Sequence, residues 1–423
     1  MTEQKIIQGD CLEVMKKLPD GSVDAVICDP PYELGFMGKA WDSTGIANNI
    51  EVWKEALRVL KPGGYLLAFS GTRTYHRMAC AIEDAGFEVR DMIEWVYGSG
   101  FPKSLNIGKA VDKLKGNERE IVGGYEIGGM SPDRENFGAN DRTGGQGMGF
   151  RPGEIKITKG TSEWEGWGTA LKPAHEPICM ARKPLAEKTV AENVLKYGAG
   201  GINIDESRVG TTGARNNGNS QGTVGSNSIG VYGKAIKQDY NMGRFPANLI
   251  HDNSEEVREC FPDVKGEVGR IGRKSGGNYE ASSYKVGVVT ETGLKDNGNA
   301  SRFFKSIIYQ AKTSKSERNK GCEELEEKQY SHDGRDKEIK NPYQRNKSVS
   351  TNNHPTVKPV ALMEYLIRMT TREGQTILDP FAGSGTTGVA CKNLNRACIL
   401  IEKEEAYVKI AQQRLDSTPT PMF

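Results

Sequence analysis

The sequence predicts an α/β fold with a mostly parallel sheet, flanking helices and a large irregular insertion. Apolar strand patterns alternate with amphipathic helix patterns at both ends of the 423-residue chain, and such alternation is typical of a parallel sheet. The 51 glycines concentrate between these ends, from about Gly116 to Gly298, and exceed the average share of about 7%. The middle should therefore be rich in loops, and the two ends should join in one sheet.

The N-terminal end supplies the first half of this sheet. The run VDAVIC lies between Gly21 and the Pro30-Pro31 pair, which fits a buried parallel strand. Residues 50–60 carry apolar side chains on one helical face, and Lys-Pro-Gly-Gly at 61–64 should end that helix. The predicted strands are 5–8, 23–28, 65–69 and 88–97, and the predicted helices are 12–18, 50–60 and 75–85.

The C-terminal end supplies the second half. The predicted strands are 176–181, 376–378 and 398–401, and the predicted helices are 360–369, 386–394 and 405–415. Between the two ends, periodicity is weak apart from short signals at 244–250 and 301–310. We expect residues 1–115 and 351–415 to form the two halves of one α/β domain, 116–170 and 186–350 to be insertions, 171–185 to return a strand, and 416–423 to be a tail.

Composition narrows the class of protein. No apolar run approaches the roughly 20 residues of a membrane span, and the N-terminal residues do not resemble a signal peptide, so we expect a cytoplasmic protein without a membrane partner. The eight cysteines form no C-x-x-C and the five histidines are scattered, which predicts neither a metal site nor a disulfide framework. The net charge of +2 decides nothing, since a nucleic-acid enzyme needs only a local basic face.

A glycine-rich turn follows the predicted strand 376–378. The segment TILDPFAGSGTTGV ends a strand at Asp379 and opens a helix, which is the context of a cofactor-binding turn. Gly383 and Gly385 would let the backbone approach a ligand, and free N–H groups near Thr386 could receive a carboxylate. Glu402 follows Gly383 by 19 residues, near the ~20 expected for an acid that binds a ribose diol. The turn lacks the lysine of a phosphate loop and departs from the dinucleotide fingerprint, and a simple packing turn is the alternative.

The tetrapeptide Asp29-Pro30-Pro31-Tyr32 directly follows a buried strand. Two prolines would fix the loop and place Asp29 at the carboxyl edge of the sheet, where open α/β folds bind ligands. A carboxylate and the Pro30 carbonyl could each accept one N–H of a base's exocyclic amine and turn its lone pair toward an activated methyl group. Tyr32 could stack on a base extruded from a duplex. A rigid turn with a capping Asp is the structural alternative, and Cys28 is expected to pack in the strand.

These motifs resemble the amino-group DNA methyltransferases of the permuted β group, in which Asp-Pro-Pro-Tyr comes first, a recognition segment lies in the middle and F-x-G-x-G comes last. The resemblance covers roughly residues 5–115, 171–183 and 354–415. The chain is also similar to phage and bacterial modification methylases in the segments GSGFPKS, TALKPAHEPI, GRFPANLI, SRFF and HPTVKP. The resemblance implies a Rossmann-like fold, S-adenosylmethionine as cofactor and DNA as partner. Adenine N6 is the expected target, because cytosine-N4 members usually carry Ser at the position of Asp29.

The resemblance also assigns site residues. It implies catalytic roles for Asp29, Pro30, Pro31 and Tyr32. It implies that the cofactor is bound by Asp10, Cys11, Lys358, Asp379, Phe381, Ala382, Gly383, Ser384, Gly385, Thr386 and Glu402. Asp10 is also a candidate helix N-cap, and Thr356 resembles the turn that accompanies Lys358, whereas His354 is expected to be a structural loop residue.

DNA contacts are expected from the middle segments. Arg and Lys interleaved with Gly, Asn and Ser suit phosphate and base-edge contacts. The candidates are Lys103, Arg244, Arg273 and Lys274, followed by Arg270, Arg302 and Lys305. For any one of these residues, a solvated surface charge is the favoured interpretation, and Trp41 could either cover an extruded base or belong to the core.

Several alternatives stay open at the level of sequence. A cytosine-N4 DNA methyltransferase is the nearest rival, followed by a dinucleotide-binding Rossmann protein and a combined restriction–modification enzyme. The sequence is compatible with a homodimer, and with a cognate restriction enzyme or none, as for a phage or orphan enzyme.

Overall fold

The computed structural model describes residues 2–34, 40–100, 104–127, 153–210, 243–264, 298–307, 315–326, 328–329 and 349–420. The chain divides into two compact units, one of Met1–Ser99 with Ala174–Phe423 and one of Gly100–Pro173. Lys103, Arg270, Arg273 and Lys274 lie outside the described residues, as does the side chain of Trp41. Of the helices described, none combines the length and apolar character that a membrane span requires.

The described strands and helices follow in chain order. The strands are β1 (Gln4–Gln8), β2 (Val23–Cys28), β3 (Leu60–Phe69), β4 (Glu88–Val96), β5 (Glu120–Ile127), β6 (Gly153–Lys159), β7 (His175–Arg182), β8 (Leu249–His251), β9 (Asp263–Val264), β10 (Gly298–Asn299), β11 (Lys305–Ser306), β12 (Lys328–Gln329), β13 (Val349–Ser350), β14 (Thr376–Asp379) and β15 (Ala397–Glu402). The helices are α1 (Cys11–Met15), α2 (Ile50–Val59), α3 (Tyr75–Asp84), α4 (Ile107–Lys115), α5 (Val190–Tyr197), α6 (Ile204–Ser207), α7 (Glu255–Arg258), α8 (Lys315–Asn319), α9 (Val360–Thr370), α10 (Thr386–Asn393) and α11 (Glu405–Ser417).

The larger unit is built on a nine-stranded sheet in the order β1-β15-β14-β2-β3-β7-β4-β8-β11. Neighbouring strands run parallel except β7, which is antiparallel to both β3 and β4. The two ends of the chain meet where Ile377 pairs with Ala25 and Leu378 with Val26. The predicted α/β fold with a mostly parallel sheet is therefore confirmed.

Helices cover both faces of this sheet because β2 and β3 are apolar on both sides. All six residues of β2 are buried. Ala25 and Ile27 pack with α9 and α10, whereas Val26 and Cys28 pack with α1, α2 and α3. Trp53 is fully buried in α2, and its indole N–H donates to the Ala47 carbonyl at 2.9 Å. The carboxyl ends of the central strands therefore start from a rigid core.

The Lys-Pro-Gly-Gly segment follows the end of the helix, as expected, but the next strand starts earlier than Tyr65. α2 ends at Val59 and β3 begins at Leu60, so the Lys-Pro-Gly-Gly segment belongs to the strand. Gly63 has a φ of 79°, which favours glycine, and the register of β2 with β3 shifts between Val23 and Ala25. The glycines accommodate an irregularity at the start of a strand, a role that sequence cannot separate from a helix stop.

The expected irregular middle contains more structure than predicted. In the smaller unit, β5 and β6 form an antiparallel hairpin. Arg119 in that unit pairs with the buried Asp112 and with Glu165 at 2.7 Å. In the larger unit, α5 begins with a capping box between Thr189 and Glu192, a signature of a helix start that was readable in the sequence.

Candidate active site

Four acidic residues mark the carboxyl edge of four adjacent strands. Asp379 and Glu402 are the last residues of β14 and β15, Asp29 follows β2 directly, and Asp10 follows β1 by two residues. Because β1, β15, β14 and β2 run parallel, their carboxyl ends share one edge. Ligands of open α/β sheets bind at such an edge, so this edge defines the candidate site.

Asp379 anchors the glycine-rich turn. Its Oδ1 accepts from the Phe381 N–H at 3.0 Å, and its Oδ2 accepts from the Thr387 hydroxyl at 2.5 Å. Burial raises the pKa of Asp379 to about 7, although these two donors oppose the rise. The carboxyl group thus fixes both ends of the turn from the inside.

Gly383 leaves room that no other residue would leave. Its φ is +52°, and a Cβ built there would lie 2.7 Å from Nε2 of His354. The His354 ring is held by its Nδ1–H, which donates to the Thr356 carbonyl at 2.7 Å, and it packs edge-on against Tyr407. His354 therefore serves as a wall of the turn, consistent with the structural role expected for it.

Glu402 and Asp10 lie together beside this turn. Glu402 accepts from the Gly383 N–H at 2.8 Å, and burial raises its pKa. The Gly9 N–H donates to the Glu402 carbonyl at 3.0 Å, which brings β1 and Asp10 alongside. Asp10 caps α1 by accepting from Leu12 N–H at 3.1 Å, as expected.

Arg414 is a residue of the turn that sequence reasoning missed. It is buried, and its guanidinium donates to the Ser384 carbonyl at 2.7 Å, to the Ser384 hydroxyl at 3.0 Å and to the Thr386 hydroxyl at 3.0 Å. The side chains of Ser384 and Thr386 are thereby engaged inside the protein. These two residues are left to offer a ligand their backbone rather than their hydroxyl groups.

The remaining predicted cofactor residues belong to the glycine-rich turn or to the start of α1. Ala382 and Cys11 are buried, and burial raises the pKa of the Cys11 thiol to about 12, which keeps it a neutral packing group. Phe381 packs against Trp53 with ring centroids 6.3 Å apart. Gly385 adopts a left-handed φ of 75° as the N-cap of α10, where first-turn N–H groups have no intrahelical acceptor.

Asp29 has one engaged and one free oxygen. Its Oδ2 accepts from Lys358 Nζ at 2.8 Å, whereas its Oδ1 is buried and has no partner among the described residues. Burial raises the pKa of Asp29, and the Lys358 ammonium opposes that rise. A buried acceptor without a donor is costly, so Oδ1 is suited to a donor from a ligand. The role of Pro30 and Pro31 in fixing this loop stays a prediction.

Tyr32 is held at both ends. Its hydroxyl donates to Glu176 Oε2 at 2.7 Å and accepts from Lys358 Nζ at 3.0 Å. Its carbonyl accepts from the Thr74 hydroxyl at 2.6 Å. Glu176 was not predicted as a site residue. It lies near the start of β7, and because β7 runs opposite to β3, its start lies at the edge where β3 ends.

Lys358 lies with the Asp-Pro-Pro-Tyr residues. Its ammonium lies within 3.1 Å of Glu176 and over the rings of Tyr32 and Phe69. Although burial opposes its charge, the carboxylates of Asp29 and Glu176 raise the pKa of Lys358 above that of a free lysine. The expected cofactor role of Lys358 therefore competes with a role as counter-ion to Asp29.

Cys28 packs inside the sheet, as expected. It is fully buried, and burial raises its pKa well above that of a free thiol. A nucleophilic cysteine needs a lowered pKa, so Cys28 is not suited to act as a nucleophile.

The described DNA-contact candidates engage aromatic rings. The guanidinium groups of Arg244 and Arg302 lie 4.8 Å and 4.5 Å from the Phe303 ring centroid. Lys305 lies 4.8 Å from the Tyr365 centroid, and burial lowers its pKa. Their contact with DNA stays a prediction.

Comparison with known proteins assigns the class. The family model N6_N4_Mtase, described as DNA methylase, matches residues 23–413. The chain therefore belongs to the N6/N4 DNA methylase family, which confirms the predicted family and supports S-adenosylmethionine as the expected cofactor.

Individual relatives are similar over different lengths. The type II methyltransferase M.HindIII of Haemophilus influenzae is 23% identical over 97% of this chain and 94% of its own length. M2.DpnII of Streptococcus pneumoniae is 55% identical over 64 residues, 15% of this chain and 24% of its own length. The match with M2.DpnII therefore covers only about a quarter of that protein's length.

The solved structures that match this chain are less similar to it in sequence. The M1.HpyAVI–SAM complex is 17% identical, with a TM-score of 0.38 over 97% of this chain and 99% of that chain. The cytosine-N4-specific PvuII DNA methyltransferase is 13% identical, with a TM-score of 0.41 over 98% of this chain and 86% of that chain.

Asp379→Asn tests the buried carboxyl of the turn. An amide can keep both hydrogen bonds but cannot ionise. The folded-state pKa of about 7 exceeds the ordinary value of about 3.9, so the folded state holds a proton that the unfolded state releases. As the pH rises from about 4 to about 7, the unfolding free energy of the wild type should therefore fall relative to that of the variant, by up to about 1.4 kcal/mol per pH unit.

Urea denaturation across that pH range provides the measurement, with the exposed Asp416→Asn as control. A difference between wild type and Asp379→Asn that stays constant with pH would show that the carboxyl group is not held protonated by burial.

Proposed function

We propose that this protein transfers a methyl group from S-adenosylmethionine to an exocyclic amino nitrogen of a DNA base, with adenine N6 as the target. The free, buried Oδ1 of Asp29 carries the proposal, because it faces the same sheet edge as the glycine-rich turn on the neighbouring strand. A carboxylate acceptor beside a cofactor cradle is the arrangement that this transfer requires.

The reaction needs alignment more than activation. The lone pair of an exocyclic amine is delocalised into the base ring, so the nitrogen is a poor nucleophile. When Asp29 Oδ1 accepts one N–H and the Pro30 carbonyl accepts the other, the nitrogen can turn its lone pair out of the ring plane. Holding the reactants in this orientation supplies much of the rate enhancement.

The turn suits the methionine part of the cofactor. Gly383 lies directly against the His354 ring, which leaves no room for a Cβ, and the first N–H groups of α10 have no intrahelical acceptor, so this turn could receive a carboxylate. Glu402 and Asp10 would face the ribose and adenine parts. When bound, the cofactor supplies a methyl group already activated by a sulfonium.

Tyr32 would receive the extruded base. Enzymes that act on a base inside a duplex flip it into a pocket and stack it on aromatic groups. The Tyr32 hydroxyl is tied to Glu176 and its carbonyl to Thr74, so its ring is positioned before a base arrives. Arg244, Arg302 and residues of the segment 186–350 would contact the DNA around that base, and a restriction–modification setting is the proposed context.

The choice of adenine over cytosine rests on Asp29. Cytosine-N4 members of the family usually carry Ser where this chain has Asp29, and the chain keeps the acidic form. Methylating unmodified DNA in vitro and analysing its nucleosides by mass spectrometry decides the base. N6-methyl-2′-deoxyadenosine is expected, N4-methyl-2′-deoxycytidine would correct the target, and an absence of both would remove the proposal.

Asp29→Ala should reduce methyl transfer at least about 100-fold, because the amine loses its charged acceptor. Binding of S-adenosylmethionine, measured by calorimetry, should stay within about threefold, since the glycine-rich turn is untouched. Asp84→Ala, on the exposed side of α3, is the control and should retain full activity. Full activity in Asp29→Ala would refute the catalytic assignment.

Gly383→Ala should weaken binding of S-adenosylmethionine about tenfold or more, because the new methyl group would collide with the His354 ring and displace the turn that is proposed to hold the cofactor. Gly374→Ala is a matched control: Gly374 also has a left-handed φ, of +76°, but nothing lies within 4 Å of the position that a Cβ would take there. Calorimetric titration of both variants should show the loss only at Gly383. Equal affinities would mean that the cofactor does not approach this turn.

A further inference from the structure

Lys358 is shared between two carboxylates of different strands. Its Nζ lies 2.8 Å from Asp29 Oδ2 and 3.1 Å from Glu176 Oε2. The three side chains are only 10%, 18% and 17% exposed, for Lys358, Asp29 and Glu176 respectively. The Tyr32 hydroxyl joins the same cluster, donating to Glu176 and accepting from Lys358.

This charge cluster contributes little to stability relative to the free-energy cost of burying its charges. Buried ion pairs seldom repay the cost of removing charges from water, and hydrophobic replacements are often as stable. The cluster also leaves Asp29 Oδ1 without a donor, which adds to the cost. A role in setting the orientation and ionisation of Asp29 explains why two carboxylates surround the Lys358 ammonium here.

We propose that Glu176, acting through Lys358, is a positioning residue that sets the orientation and ionisation of Asp29. The inference rests on the proposed methyl transfer and deepens it. Lys358 occupies Oδ2 and thereby leaves Oδ1 as the acceptor for the base's amine. Glu176 holds Lys358 and the Tyr32 hydroxyl at one oxygen, so it fixes the acceptor and the stacking ring relative to each other.

The charges of the cluster also matter. Two carboxylates and one ammonium sum to one negative charge, which faces the amine as its nitrogen becomes positive. Without Glu176 the ammonium would neutralise Asp29 completely and weaken that attraction. Without Lys358 the two acids would repel each other, which would raise the pKa of Asp29 further.

Other ionisable groups around Asp29 come from every neighbouring element. They are Cys28 at the end of β2, Tyr32 in the loop after it, Glu176 on β7, Lys358 before α9 and Asp379 at the end of β14. Burial raises the pKa of Cys28, Tyr32 and Asp379. Lys358 is thus the one cation among these described neighbours, and it lowers the pKa of Asp29 whereas Glu176 raises it.

The test compares the pH dependence of kcat in two variants. In Lys358→Met, Asp29 loses its cation, so the acidic limb of the profile should move to higher pH by about one to three units. In Glu176→Gln, the amide keeps the hydrogen bond from Tyr32 but lacks the charge. The limb should move to lower pH while the maximal kcat falls about 10- to 100-fold.

Controls separate this role from structural damage. Glu187→Gln removes a partly buried carboxylate that follows the end of β7 and pairs with Lys196 at 2.6 Å, and it should leave the profile unchanged. Thermal melting confirms folding of each variant. Calorimetry with S-adenosylmethionine should give near wild-type affinity for Glu176→Gln and Lys358→Met.

Three outcomes overturn the inference. They are an acidic limb that stays in place in folded Lys358→Met, an unchanged maximal kcat in Glu176→Gln, and a loss of activity in either variant that is explained wholly by weaker cofactor binding. Because Glu176→Gln keeps the shape of the side chain, it remains informative if Lys358→Met fails to fold. A wild-type protein that methylates no DNA would instead refute the proposed function itself.

Discussion

The pairing of β14 with β2 is the constraint on which the site depends. It joins residues some 350 positions apart, through Ile377 with Ala25 and Leu378 with Val26. Closing so long a loop costs entropy that local contacts cannot offset, and the apolar burial of both strands supplies the compensation. Because the strands are parallel, their last residues emerge at one edge, and the acceptor and the glycine-rich turn become neighbours.

Three carboxyl groups at that edge are buried enough to have raised pKa values, yet the protein treats them differently. Asp379 and Glu402 receive N–H or hydroxyl donors of their own loops, which fixes geometry without a full countercharge. Asp29 alone of the three is paired with an ammonium. The chain thus applies charge where ionisation matters and neutral hydrogen bonds where only shape matters.

Periodicity predicted most of this architecture because the central strands are buried on both faces. The run at β2 is apolar except for Asp24, and the turn after β14 has few alternatives once a helix follows it. The start of β3 differs from the prediction because proline and glycine mark both a helix stop and a strand irregularity, and only the register with β2 distinguishes the two. The helix α5 was not predicted, although its capping box is present in the sequence.

Glu176 and Arg414 show where reasoning from sequence ends. A residue after a parallel strand can be placed at the ligand edge without knowing the partner strands, since all such strands end there. Glu176 lies near the start of its strand, so it reaches that edge only because β7 is inserted antiparallel between β3 and β4. Arg414 reaches the glycine-rich turn from the far end of α11, through a helix packing that no local pattern specifies. Site residues that do not follow the end of a parallel strand can therefore be identified only once the topology of the fold is known.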